Sequence, residues 1–299
     1  MTYLVTLGDA VNWGQGLLRE HKFSDIVFRE LLKAHPGLEH HRLAHSGAII
    51  GAGAFLVRQK GDGEVPIGYP TILDQVDTFS GDPLEVAVVL VNGGINDVDI
   101  RNILSPWVPL STLYDLTIEH CFDSMRLLLR AVCNRFANPT TQIVVTPYYP
   151  VLSRFSNPVG IPLMLANEGL APPVGVAATV GLHAVVERCT QFWENSHDFF
   201  LAAIKEVNGS LPDPRVRFAD PGFTEHNAAF ADDPWLFGLR RDGSAEDEVV
   251  EQRVVSCNAA IQVIDALARQ QCYCASAGHP NRAGARKYAD AILTTLGLA

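Results

Sequence analysis

The segment LVTLGDAVNWGQGL, residues 4–17, decides the fold, because an apolar strand pattern runs directly into a glycine-rich turn. Similar short apolar runs recur along the chain, and stretches with helical periodicity, above all 112–136 and 183–207, lie between them. The predicted strands are 3–7, 42–46, 85–92, 142–147 and 215–219. Strands that alternate with helices predict a five-stranded parallel sheet covered by helices on both faces, a three-layer α/β/α sandwich.

The composition is that of a folded, acidic protein. The 299 residues are 47% hydrophobic and 19% charged, which is typical of a globular chain with a sizeable core. The net charge of −10, without any basic run, argues against nucleic acid as a partner. The first residues, MTYLVTLG, have no signal-peptide features, and Pro172, Pro173 and His183 interrupt the most apolar later stretch. We therefore expect a soluble, cytoplasmic protein without a membrane span.

Six cysteines occur, at positions 121, 133, 189, 257, 272 and 274. Because the chain is long and lacks an export signal, we expect reduced thiols rather than disulfides. Cys272 and Cys274, taken together with Cys257, match no common zinc-binding spacing. The sequence therefore predicts no bound metal.

Two irregular segments interrupt the alternation within what we expect to be a single domain, residues 1–299. Residues 148–182 are dense in proline, glycine and bulky apolar residues, and residues 220–250 contain Trp235 and Phe237 before an acidic run. Long ordered loops are usually lids or binding walls, so we expect the first segment to be a lid or a pocket insertion. A helical hairpin that caps the sheet is the alternative.

Four turns are expected to meet at one edge of the sheet. Gly8-Asp9-Ala10, Ser46-Gly47 and the segment Gly94-Ile95-Asn96-Asp97 follow the first three strands, and Gly278-His279-Pro280-Asn281 precedes the last helix. Open parallel sheets bind ligands at the carboxyl ends of their strands, near the point where the strand order reverses. These segments therefore predict one site assembled from distant parts of the chain.

The four segments together resemble the GDSL or SGNH hydrolases, a family of serine esterases and lipases. LGDAVNWGQG is similar to the first block of the family, HSGA to the second, GIND to the third and GHPNRAGARKYAD to the last, in family order along the whole chain. The resemblance implies a flavodoxin-like α/β/α fold and catalysis that requires no cofactor or metal.

The resemblance also implies a role for each residue. Position 10 is that of the nucleophile, and His279 is the general base, which suits a side chain whose pKa is near neutral. The backbone N–H of residue 10, the backbone N–H of Gly47 and the side-chain amide of Asn96 would form the oxyanion hole. Asp9 and Asp97 would support the turns by accepting backbone N–H groups.

The chain departs from the family pattern at two positions. Ala10 stands where the family has serine, and a methyl group cannot attack a carbonyl carbon. Because the rest of the site is intact, we interpret Ala10 as a Ser→Ala substitution made to stop turnover. Ser276 stands where the family has an acid, three residues before the histidine. Ser276, a backbone carbonyl or a carboxylate from Asp242, Glu246 or Asp247 could orient His279 instead.

The sequence thus favours a carboxylic-ester hydrolase that acts through a serine acyl-enzyme on a small ester. The apolar segment 148–182 hints at a hydrophobic or lipid-like substrate. An acyltransferase on the same fold is one alternative, and a natural, non-catalytic pseudo-hydrolase that binds ligands is another. A flavin or nucleotide site is disfavoured, because GQGLLR and GAIIGAG do not fit Gly-x-Gly-x-x-Gly. The sequence does not indicate the oligomeric state.

Overall fold

A five-stranded parallel sheet forms the centre of the fold in the computed structural model, which describes residues 2–51, 71–173, 178–261 and 265–298. Its strands are β1 (Thr2–Thr6), β2 (Leu38–Arg42), β3 (Val86–Val91), β4 (Gln142–Val145) and β5 (Val216–Phe218). Their order is β2-β1-β3-β4-β5, and every pair is parallel. The predicted α/β architecture is confirmed. Because the order reverses between β1 and β3, the carboxyl ends of these two strands are the expected position of a ligand.

Helices cover both faces of the sheet. Helix α2 packs against α12 in one layer, and α7 packs against α3 and α9 in the other. A π-helical turn, Glu119–Ser124, joins α6 to α7. The described α-helices are α1 (Ala10–Trp13), α2 (Phe23–Ala34), α3 (Ile72–Thr78), α4 (Ile95–Val98), α5 (Ile100–Leu104), α6 (Leu110–Ile118), α7 (Met125–Arg135), α8 (Gly160–Asn167), α9 (Ala178–Gly209), α10 (Val250–Ala260), α11 (Ala266–Tyr273) and α12 (Arg282–Thr295).

The second strand lies earlier than predicted. The sequence indicated 42–46, whereas β2 is Leu38–Arg42 and contains mostly polar residues. An edge strand tolerates such residues when they have partners, and here His40 lies 2.8 Å from Thr6 Oγ1. Residues 43–46 instead leave the sheet, because the N–H groups of Leu43 and Ala44 both donate to Thr6 O at 2.9 Å.

The cysteines also differ from the prediction. Cys257 and Cys272 form a disulfide that joins α10 to α11, so the expectation of reduced thiols is wrong for these two residues. Cys121, Cys133, Cys189 and Cys274 are buried free thiols. Among the described residues, no three His, Cys, Asp or Glu side chains gather as metal ligands would. No described helix is both long enough and apolar enough to cross a membrane.

The two irregular segments have different structures. Residues 148–182 contain α8 and the first turn of α9, and their positions 174–177 lie outside the described residues. Residues 220–250 are mostly irregular, with a 3-10 turn at Glu225–Asn227. They run beneath the turn that carries His279, where Leu236 forms a bridge with Pro280. The second segment therefore supports the predicted site from below.

Candidate active site

The Gly8-Asp9-Ala10 turn directly follows β1 and leads into α1. Gly8 has φ +131°, and a Cβ added there would lie 2.0 Å from Asn92 Oδ1, so the turn requires glycine. The Gln75 side chain holds both polar groups of Gly8, accepting its N–H at 2.7 Å and donating to its carbonyl at 3.0 Å. These contacts fix the direction in which Ala10 leaves the sheet.

Asp9 lies under the turn as a buried hydrogen-bond acceptor. Its Oδ1 accepts the N–H of Val11 at 2.8 Å, which caps α1, and the Asn92 amide at 3.0 Å. Its Oδ2 accepts the hydroxyl of Tyr148 at 2.8 Å. Burial raises the pKa of Asp9, and these hydrogen bonds counteract part of that rise. Both oxygens are thus engaged in supporting the turn.

Asn96 and Asp97 tie the third block to the second. Asn96 Nδ2 donates to the carbonyl of Ala48 at 2.9 Å, and the Asp97 carboxylate accepts the N–H of Ile50 at 3.0 Å. Burial raises the pKa of Asp97, and the hydrogen bond from Ile50 counteracts it in part. Gly47, which directly precedes Ala48, has φ +73° and turns the chain there. Among the described residues, no acceptor contacts the N–H of Gly47 or of Ala10.

His279 is held in a turn that is braced by the segment 220–250. The N–H of Phe237 donates to His279 O at 2.8 Å, and the N–H of Gly278 donates to Phe237 O at the same distance. The Asn281 side chain caps α12 by accepting the N–H groups of Ala283 and Gly284. The main chain on both sides of His279 is therefore fixed.

The His279 ring is desolvated on one side. Its Nδ1 is buried and has no hydrogen-bond partner among the residues that the structure describes. Burial lowers the pKa of His279 to about 4, and the nearby carbonyl groups of Ala275, Ser276 and Ala277 counteract part of that shift. The imidazole is therefore neutral at neutral pH, its Nδ1 is buried, and the residue lines the cavity described below.

The hydroxyl of Ser276 donates to Asp247 rather than bonding to the His279 ring. Of the three carboxylates considered from the sequence, Asp247 is the one beside Ser276, and it is buried in an ion pair with Arg253. Asp242 instead accepts the N–H of Ser244 at 2.9 Å in an exposed turn.

Ala10, Asn96 and His279 line one cavity of about 800 Å³, together with Asp9. Gly47, Asp97 and Ser276 lie outside its lining. The segment 148–182 contributes Tyr149, Val151, Met164 and Glu168, the segment 220–250 contributes none, and the hairpin of α10 and α11 forms another wall.

Sequence reasoning missed the residues that hold the site from beneath. Asp9 accepts hydrogen bonds from Asn92 and Tyr148, and Gly8 donates to Gln75. None of these three supporting residues belongs to a family block. A signal existed for Asn92 and Tyr148: each is a polar residue just after a buried strand, where a parallel sheet places its ligand site. Gln75 lies in a helix and gives no such signal.

Comparison with known proteins finds similarity in structure but not in sequence. No family model matches the chain, and no curated protein matches it. An extracellular lipase from Streptomyces rimosus superposes with a TM-score of 0.52 at 15% identity, over 99% of this chain and all of that one. A phospholipase A1 from Streptomyces albidoflavus NA297 has a TM-score of 0.52 at 13% identity, over 98% of this chain and 99% of that one. The chain therefore has the SGNH-hydrolase fold.

Proposed function

We propose that this chain carries the active site of a carboxylic-ester hydrolase whose nucleophile position holds alanine. One observation carries the proposal: Ala10, Asn96 and His279, which are far apart in sequence, line the same cavity at the carboxyl ends of β1 and β3. Acyl transfer through serine needs a nucleophile, a base and oxyanion donors in one place, and these positions supply them once residue 10 is serine.

Acylation follows from this arrangement. The hydroxyl of a serine at position 10 attacks the ester carbonyl carbon, and Nε2 of His279 takes the hydroxyl proton. The N–H groups of residue 10 and Gly47 have no internal acceptor among the described residues, and the Asn96 amide has a second proton beyond the one donated to Ala48. These donors stabilise the oxyanion. The intermediate collapses, and the leaving alcohol receives the proton from His279.

Deacylation repeats the same steps with water as the attacking group. His279 takes a proton from a water molecule that attacks the acyl carbon, the serine oxygen leaves with that proton, and the carboxylic acid is released. If an alcohol replaces water in this step, the same site becomes an acyltransferase. Adding an alcohol acceptor to the assay distinguishes the two outcomes, because transfer produces a new ester.

The carbonyl groups of residues 275–277 take the place of the missing acid in our proposal. They lie near the imidazole, and we propose that they favour a proton on its buried Nδ1, which leaves Nε2 free to act as the base. The imidazolium receives less stabilisation from them than from a carboxylate, and its pKa stays low.

The cavity walls support an ester with an apolar acyl chain. Tyr149, Val151, Met164 and Leu104 provide apolar surface, and a cavity of about 800 Å³ accommodates a medium-length chain. The compartment is a separate proposal: because Cys257 and Cys272 are bonded, we favour one that permits disulfides over the cytoplasm expected from the sequence.

The decisive experiment is the substitution Ala10→Ser. We expect ester cleavage to rise by at least about 10⁴-fold over the Ala10 chain, because the loss of a serine nucleophile costs about 10⁶-fold in related chemistry. Hydrolysis of p-nitrophenyl esters from acetate to octanoate provides the measurement. The double substitution Ala10→Ser/His279→Ala is the control and should return to the background. A folded Ala10→Ser protein that is inert across the panel would contradict the proposal.

Ala10 itself favours a second candidate, a pseudo-hydrolase that binds ligands without turnover. Calorimetry with medium-chain esters and acids on the unchanged chain tests this candidate, and the codon of the native gene at position 10 decides whether the alanine is natural. Binding by the Ala10 chain together with inert Ala10→Ser protein would favour the pseudo-hydrolase.

A further inference from the structure

A fully buried charged cluster lies behind the histidine turn. Arg253 on α10 forms a bidentate ion pair with Asp247, and both side chains are 0% exposed. Asp247 also accepts the hydroxyl of Ser276, and Arg253 donates to the carbonyl of Tyr273 at 2.9 Å. Buried charges are costly unless they are paired and hydrogen-bonded, and here both charges are. We refer to Arg253, Asp247 and Ser276 as the anchor.

The anchor holds the turn that carries His279. Arg253 donates to the carbonyl of Tyr273, Asp247 accepts the hydroxyl of Ser276, and the carbonyl of Ser276 accepts the N–H of His279 at 2.9 Å. We propose that Arg253 and Asp247 are positioning residues that act through Ser276: they hold the turn of residues 276–279 so that the buried Nδ1 of His279 carries the proton and Nε2 faces position 10. This inference rests on the proposed function only for its effect on activity.

Asp247 acts by position rather than as the missing acid. Arg253 neutralises it through two hydrogen bonds, and the positive charge of Arg253 contributes to the lowered pKa of His279. A carboxylate that stabilised the imidazolium would have the opposite effect on that pKa. The anchor therefore acts by fixing the geometry of the turn that carries His279.

Two further contacts couple the anchor to its surroundings. The disulfide joins Cys257, one helical turn after Arg253, to Cys272, which is next to Tyr273. Helix α10 is therefore joined twice to the end of α11, directly before the turn that carries His279. On the other side, Gly16 has φ +84°, and a Cβ there would lie 2.6 Å from Ser276 Cβ. The segment that follows position 10 therefore packs directly against the anchor.

The test uses the chain as it exists and does not require activity. In Arg253→Lys the positive charge remains, but the two-pronged contact with Asp247 is lost. We expect ¹⁵N NMR of the His279 ring to show mainly the Nδ1–H tautomer in the unchanged chain and a mixture of both tautomers in Arg253→Lys. Arg215→Lys is the matched control, because Arg215 is also buried and donates to three carbonyls, those of Cys133, Phe136 and Asn138, at the far end of the sheet. It should leave the tautomer unchanged.

Activity provides the second readout. In the Ala10→Ser background, Arg253→Lys should lower kcat roughly 10- to 100-fold, because misplacing a catalytic group has effects of this size. KM should change less than kcat, since Arg253 itself does not line the cavity. Ser276→Ala removes one hydroxyl and keeps the ion pair, so it should lower kcat by a smaller factor. If Arg253→Lys does not fold, Ser276→Ala is the variant that tests the positioning role.

The outcomes separate the two proposals. An unchanged tautomer ratio in folded Arg253→Lys, or in Ser276→Ala if the former is unfolded, overturns the positioning role. An altered tautomer ratio together with inert Ala10→Ser protein supports the positioning role and refutes the hydrolase. If Arg215→Lys and Arg253→Lys change the tautomer ratio and kcat equally, the change is a general consequence of removing a buried guanidinium. This outcome also overturns the inference.

Discussion

Gly8 provides a sharp test at the scale of single residues. An alanine there would have a strained φ, and its Cβ would clash with Oδ1 of Asn92. The side-chain amide of Asn92 also donates to Asp9, so this hydrogen bond would be disturbed. We expect Gly8→Ala to lower the free energy of unfolding by about 2 to 4 kcal/mol, from backbone strain and the disrupted buried hydrogen bonds. Gly37→Ala is the matched control, because Gly37 has φ +95° and nothing within 4 Å of its added Cβ. Urea unfolding measures both, and equal losses would show that the Asn92 contact is irrelevant.

The residue scale also shows what sequence motifs can and cannot reveal. Ala10, Asn96 and His279 were found because each lies in a short block at a strand end or before a helix, and the structure brings them together. The partner of Ser276 could not be assigned, because Asp247 reaches it through an irregular segment whose path follows no periodicity. The arrangement of irregular backbone depends on packing that no local pattern encodes.

At the scale of elements, the buried strands were the easiest to predict. β3 and β4 are almost wholly buried runs of valine, isoleucine and leucine, and their predicted positions differ from the observed ones by two residues or fewer. β2 was misplaced because it is an edge strand whose polar side chains are paired with neighbours, so hydrophobicity did not mark it. The Cys257–Cys272 disulfide was not predicted because the expectation of reduced thiols rested on chain length and the lack of export-signal features, and cysteine spacing does not reveal which helices pack together.

The hairpin of α10 and α11 depends on that disulfide. Its bond closes a loop with a sequence separation of 15, and chain-entropy arguments give such a cross-link about 3 kcal/mol. We expect Cys257→Ser/Cys272→Ser to lose about that much stability, concentrated in residues 250–274. Hydrogen exchange resolved by residue measures where protection falls. Cys274→Ser is the control, since Cys274 is a buried free thiol in the same segment, and a similar loss in that variant would contradict a specific role for the cross-link.

At the scale of the whole molecule, one site is built from both ends of the chain. Residues 8–10 belong to the first strand and turn, and His279 precedes the last helix, so the site exists only when the entire sheet is assembled. The block order along the sequence predicted this assembly, because parallel strands bring their carboxyl ends to one edge. The bracing segment 220–250 and the hairpin of α10 and α11 could not be placed in this way, since they lie outside the strand and helix alternation.

Buried histidines should make the stability of the whole molecule depend on pH. Burial lowers the pKa values of His40, His45 and His279, so the fold favours their neutral forms. Their contribution is fully present above the unfolded pKa of about 6.5 and is lost as the pH falls towards the folded value, about 4 for His279. The buried carboxyl groups Asp9, Asp97 and Glu168 have raised pKa values, so their contribution changes in the opposite sense and increases as the pH falls through their folded pKa values.

The histidines should lower the stability at pH 5.5 relative to that at pH 7.5, a difference that urea unfolding measures. His279 alone accounts for about 1.3 kcal/mol of that difference, because its unfolded form is mostly protonated at pH 5.5 while its folded form is not. His279→Gln in the unchanged Ala10 chain removes this contribution and leaves the net charge of −10 and the other histidines as they were. The pH difference should shrink by about 1 kcal/mol in that variant. If the parent and His279→Gln lose the same stability on acidification, then burial does not hold the imidazole neutral in the folded protein, and the lowered pKa of His279 is wrong.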